Sequence, residues 1–88
     1  MPPVKFDEDA ARQLVELPKE IKARVADLIA RLSKWPNVSG AKPLRGRLAG
    51  RFRLRSGDYR LQYYVEGDEK SPTVVVEQVG HRDGFYDD

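Results

Sequence analysis

The chain has no cysteine, one histidine, one tryptophan and one methionine, and no apolar run longer than a few residues. Without cysteine there is neither a disulfide framework nor a thiolate metal site, and the composition suits a reducing cytosol. A single histidine leaves too few imidazoles for a zinc site, so neither a metal nor a cofactor is expected. The apolar segments are too short to cross a bilayer. No charged-then-apolar leader follows Met1, so the reading is a cytoplasmic protein with no membrane partner.

What is present is 88 residues, 34% charged and 40% hydrophobic, the composition of one small globular domain over residues 1–88 with a thin core. Acid is nearly missing from the middle of the chain. From Lys42 to Tyr64 the cations are Lys42, Arg45, Arg47, Arg51, Arg53, Arg55 and Arg60, against Asp58 alone. The whole chain carries only +2, so the remainder is mildly acidic. Arginine concentrated in this way is the electrostatic footprint of a phosphate-bearing partner.

The hydrophobic spacing predicts the elements in order. Pro2-Pro3 starts the chain extended, and Val4-Lys5-Phe6 reads as a first strand. Asp7 is a good N-cap, with Glu8 and Asp9 at the positive end of the helix dipole. Ala10, Ala11, Leu14, Val15 and Leu17 then follow at helical spacing. Pro18 breaks that helix and suits the first position of the next. Ile21, Val25, Leu28, Ile29 and Leu32 form its apolar stripe, while Lys19, Lys22, Arg24, Asp27, Arg31 and Lys34 form a solvated face. Pro36 forces Trp35 out of helical geometry. Residues 36–50 read as loop.

Thereafter the period changes from 3.6 to 2. Arg51–Arg55 alternates, Ser56-Gly57-Asp58 reads as a three-residue turn, and Tyr59–Val65 alternates again. A polar turn from Gly67 to Pro72 leads to a β-branched strand, Thr73–Val79, which Gly80 closes before a short tail. The predicted fold is α+β: an N-terminal strand, an antiparallel two-helix hairpin and a three-stranded antiparallel meander, with the helices on one face of a four-stranded sheet. Phe6, Trp35 and Phe85 are read as core.

Alternation sorts the arginines. With Phe52 and Leu54 facing the helices, Arg51, Arg53 and Arg55 face the other way. With Tyr59, Leu61 and Tyr63 inward, Arg60, Gln62 and Tyr64 join them. The expectation is a bare face rich in guanidinium, whose planar fork matches phosphate. Such a row is self-repulsive, and an anion lying on it relieves the repulsion.

These residues carry a resemblance. Pro43-Leu44-Arg45-Gly46, Phe52-Arg53-Leu54-Arg55-Ser56-Gly57-Asp58-Tyr59-Arg60-Leu61, Val79-Gly80-His81-Arg82 and Phe85-Tyr86 together resemble the RelE family within the RelE/ParE toxin–antitoxin superfamily. The resemblance implies cleavage of mRNA in the ribosomal A site, by attack of a ribose 2′-hydroxyl on the adjacent phosphate. It also implies a cognate antitoxin that covers the toxin in a hetero-oligomer. Carried over, the family's basic sheet positions fall on Arg51 and Arg53, where some members have lysine. Its next arginine falls on Arg60, its post-glycine arginine on Arg82 and its C-terminal tyrosine on Tyr86.

Arginine stays protonated at any working pH, so its role is electrostatic, with Arg82 and Arg60 assigned to the phosphate and Arg51 and Arg53 close by. The general base is then His81 or Tyr86. Cationic surroundings favour neutral imidazole in the one and phenolate in the other. Arg45, Arg47, Arg55, Gln62 and Tyr64 are the candidate RNA contacts. Two alternatives share the fold: a ParE-like gyrase poison that binds protein, and a non-catalytic RNA-binding member.

Overall fold

The computed structural model describes residues 2–81. Its elements are β1 (Val4–Phe6), α1 (Glu8–Glu16), α2 (Lys19–Leu32), β2 (Lys42–Pro43), a 3-10 turn (Gly46–Leu48), β3 (Arg51–Ser56), β4 (Tyr59–Glu66) and β5 (Thr73–His81). Together the strands make a single five-stranded sheet in the order β1-β5-β4-β3-β2. β1 runs parallel to β5, and every other neighbour is antiparallel.

Local chemistry sets the helix ends. The Asp7 carboxylate accepts from the Ala10 amide at 2.9 Å, closing the start of α1. Leu17 is extended, at ψ 146, as the residue before a proline must be. Pro18 is the N-cap of α2 rather than its first helical residue, because its own ψ of 152 is extended. Its carbonyl nonetheless accepts from Ile21 and Lys22, and its missing N–H costs nothing there.

α1 lies on β1 and β5, whereas α2 lies on β3 and β4. Both feed one core, built from Ala10, Val25, Leu28, Leu32, Leu54, Leu61, Tyr63, Val74, Val76 and Val79. Trp35 and Phe6 pack against it, as the sequence suggests. Trp35 meets Phe52 edge-on with ring centroids 5.1 Å apart, and Phe52 stacks on Tyr63 at 5.3 Å. Val15, placed in the apolar stripe of α1 by spacing, is instead 72% exposed. Phe85 lies outside the described residues.

Several strand boundaries also differ from the sequence reading. A fifth strand, β2, pairs Lys42 with Arg53 and Pro43 with Phe52 inside the stretch read as loop. It is two residues long, and its proline can sit only at an edge. The β3–β4 turn has two residues, Gly57 and Asp58, because Ser56 pairs with Tyr59. Gly57 supplies the positive φ of 59 that such a turn needs. Finally, β5 does not close at Gly80 but runs to His81, which pairs with Tyr59.

β1 reaches only as far as Val76, so the edge of β5 beyond it lacks a neighbouring strand. There the Gln13 side chain of α1 accepts the Val79 amide at 2.7 Å. On the far face of the sheet, Lys5 of β1 reaches past β5 to Glu66 of β4 at 2.7 Å. The hydrogen bond and charge of Glu66 raise the Lys5 ammonium above its usual pKa.

Candidate functional site

Register and alternation place three rows of side chains on the face away from the helices. Arg55 stands opposite Arg60, which pairs onward with Gly80. Lys42, Arg53, Gln62 and Gln78 form the next row. Arg51 stands opposite Tyr64, which pairs onward with Val75. The cations of β3 and β4 thus meet on one face, with only one arginine directly facing another across the ladder.

That face is not bare. Arg53 is 9% exposed, Arg60 3% and Gln62 6%, and neither Arg53 nor Arg60 is a free cation. β3 and β4 are interior strands of the sheet. Arg51 remains partly exposed, while Arg55 and Lys42 are exposed. Arg45 and Arg47 are exposed as well, but on the 3-10 turn rather than the sheet. A groove of about 630 Å³ beside β2 is lined by Lys42, Pro43, Leu44 and Arg45.

Around Arg51 the geometry is specific. Its Nε donates to Glu77 Oε2 at 3.0 Å, and its Cζ lies 5.5 Å from the centre of the Tyr64 ring. Gln62 Nε2 donates to the same Glu77 oxygen at 2.9 Å. Glu77 occupies this position because of a register shift: Gln62 pairs with Gln78 but Tyr63 pairs with Val76, leaving Glu77 as the extra residue. Sequence reasoning missed this carboxylate and, although it counted Lys42 in the basic stretch, did not place it beside Arg53, where β2 brings it. The run Val74-Val75-Val76-Glu77-Gln78-Val79 has no period of two, so it gives no signal for where Glu77 turns.

His81 ends β5 opposite Tyr59. Arg82 and Tyr86 lie outside the described residues. Among the described residues there is no group of three or more histidine, aspartate or glutamate side chains placed to hold a metal ion, and no helix long and apolar enough to cross a membrane. Chemically, the face offers guanidinium forks for phosphate oxygens, an aromatic ring, and one carboxylate already engaged by two donors.

A basic sheet face backed by two helices, on a chain this small, defines a class, and comparison with known proteins gives it a name. The family described as the ParE toxin of type II toxin–antitoxin system, parDE, matches residues 4–84. The chain belongs to this RelE/ParE family of type II toxins. It is 43% identical to Toxin RelG of Mycobacterium tuberculosis over 84 residues, covering 94% of this chain and 93% of that one. The toxin–antitoxin complex RelBE2 of M. tuberculosis contains a chain similar to it at 41% identity and TM-score 0.78, with 92% of this chain and 91% of that chain covered. The isolated E. coli RelE toxin shares the fold at TM-score 0.75 and 22% identity, with 92% and 84% covered.

Proposed function

We propose that this toxin is a ribosome-dependent endoribonuclease that cleaves mRNA in the A site and is neutralised by a cognate antitoxin. The observation that carries the reading is the gathering of Arg51, Arg53, Arg55 and Arg60 on one sheet face, with Tyr64 among them. Similarity to Toxin RelG and to a chain of the RelBE2 toxin–antitoxin complex supports a toxin with an antitoxin partner. In the proposed reaction the ribose 2′-oxygen bonds to the adjacent phosphorus and the bond to the 5′-oxygen breaks. His81 or Tyr86 takes the 2′-proton, the leaving 5′-oxygen takes a proton from water, and a 2′,3′-cyclic phosphate is left on the upstream fragment. Arg60 and Arg82 offset the charge that builds on the phosphate, while Arg51 and Arg53 hold the strand. Arg45, Arg47, Arg55, Gln62 and Tyr64 contribute RNA contacts.

A second reading has its own support. The matched family is described as ParE, and two of the four sheet arginines are buried. Both features fit a toxin that binds protein, gyrase in particular, rather than RNA. The deciding experiment is mRNA cleavage in a purified translation system, with and without ribosomes, by the wild type and Arg82→Ala. Cuts that need ribosomes and vanish in a folded Arg82→Ala variant support the nuclease. An intact message together with inhibited gyrase supercoiling selects the second reading.

A further inference from the structure

The bulge in β5 gives the arginine face what alternation alone does not, a carboxylate in its midst. Glu77 has no partner on β4, and the insertion aims its side chain at Arg51 and Gln62. One oxygen, Oε2, accepts from both, at 3.0 and 2.9 Å. The Glu77 side chain is 16% exposed against 39% for Arg51, so the acid is the more enclosed partner. Tyr64 holds Arg51 from another side, with Cζ 5.5 Å from the ring centre.

The guanidinium is thereby fixed along one edge by Nε and across one face by an aromatic ring. The ion pair uses Nε only. Nη1 and Nη2 remain for a ligand, and their N–H groups form the fork that matches two phosphate oxygens. We infer that Glu77 is a positioning residue, holding Arg51 so that its Nη1–Nη2 edge meets one RNA phosphate in a single orientation. The inference rests on the reading of the chain as an RNA-cleaving toxin.

Two opposed effects distinguish this role from that of a bare charge. Glu77 is an anion on a cationic face, so its removal tightens RNA binding. Its removal also frees Arg51 from its anchor, and a displacement of about 1 Å in a positioning group costs up to roughly 100-fold in rate. Positioning therefore moves binding and turnover in opposite directions.

The test compares Glu77→Ala and Glu77→Gln with the wild type, alone and combined with Arg51→Ala. It measures ribosome-dependent cleavage for kcat and KM, and solvent exchange of the Arg51 Nε–H by NMR in the full chain. Glu77→Ala should lower kcat roughly 10- to 100-fold with KM unchanged or lower. Glu77→Gln keeps an acceptor for Arg51 and should recover part of the loss. In the Arg51→Ala background the Glu77 change should have no further effect on kcat. The Arg51 Nε–H should exchange faster in Glu77→Ala than in the wild type. If Glu77→Ala does not fold, Glu77→Gln takes its place with smaller effects of the same sign.

An undiminished kcat with lowered KM makes Glu77 a bare charge and overturns the inference, as does an equal loss in the Arg51→Ala background. If the wild type cuts no message, the nuclease reading fails, and the exchange measurement alone decides whether Glu77 holds Arg51. Identical exchange in wild type and variant overturns that hold.

Discussion

Arg55 and Arg60 are direct partners across β3 and β4, two cations facing each other on the sheet, one exposed and one buried. Like charges so placed destabilise an antiparallel pair by about 0.2–1 kcal/mol, and salt weakens the effect. Arg55→Gln is therefore predicted to raise stability by about that much at low salt, and by less as salt rises. If Arg55 contacts an RNA phosphate, the same change lowers the salt slope of single-strand binding by about 0.7. Denaturant unfolding and RNA titrations at several salt concentrations check both. A variant less stable than wild type at low salt would show that the pair is not repulsive.

Tyr63 is fully buried, its hydroxyl has no hydrogen-bond partner among the described residues, and burial pushes its pKa up to about 12. Between the unfolded value near 10 and about 12, the native state keeps a proton that the unfolded chain has lost. Stability contributed by neutral Tyr63 is therefore intact below about pH 10 and declines as pH rises toward about 12, by about 2–3 kcal/mol in all. Tyr63→Phe removes an unpaired buried hydroxyl, so it should be neutral or stabilising at pH 7 and should flatten the alkaline decline. Chemical denaturation at pH 8, 10 and 11 tests this; an unchanged slope in the variant would refute it.

Gln13 is the only described side chain that accepts a backbone amide of β5, the Val79 N–H at 2.7 Å. Gln13→Ala leaves that donor without its acceptor, at a cost of about 1–3 kcal/mol. The loss should be concentrated at the end of β5. Hydrogen exchange at Val79 should quicken more than at Val74, whose amide bonds to the Pro3 carbonyl. Equal protection at Val79 in both proteins would show that Gln13 does not hold that amide and would overturn the prediction.

Gly57 and Gly67 both adopt positive φ, at 59 and 89, but a methyl group meets different surroundings at each. At Gly57 the nearest atom is Nη1 of Arg24, 3.9 Å away, so Gly57→Ala should cost only the left-handed strain of about 1–2 kcal/mol. At Gly67 the methyl would collide with the Ser71 carbonyl oxygen, and Gly67→Ala should cost more than Gly57→Ala. Thermal melts of the two variants rank them, and the reverse order would contradict the argument.

How much of this was legible in the sequence depends on whether a residue's environment repeats with a period. The helices and β3 and β4 were readable because Val25, Leu28 and Leu32 repeat at helical spacing and Phe52 and Leu54 alternate. β2 was not, because two residues containing a proline carry no period, and only pairing with β3 makes them a strand. The bulge escaped because Val75 is buried on the far face while Val74 and Val76 are buried in the core, so an unbroken valine run hides which residue turns out. The candidate site was half legible. Alternation assigned Arg51, Arg53, Arg55 and Arg60 to one face, but it cannot say that Arg53 and Arg60 are enclosed or that an acid stands beside Arg51. Burial depends on neighbouring strands, and the acid on a register shift between them.

The parallel pairing of β1 with β5 joins nearly the first described residues to nearly the last, Val4 to Val74. Contacts so distant in sequence form only once the whole intervening chain is available. During its own synthesis, the polypeptide cannot complete this sheet until residues 73–81 have left the exit tunnel, and Glu77 arrives only with them. A nascent copy therefore lacks the finished arginine face until β5 has emerged and paired with β1 and β4.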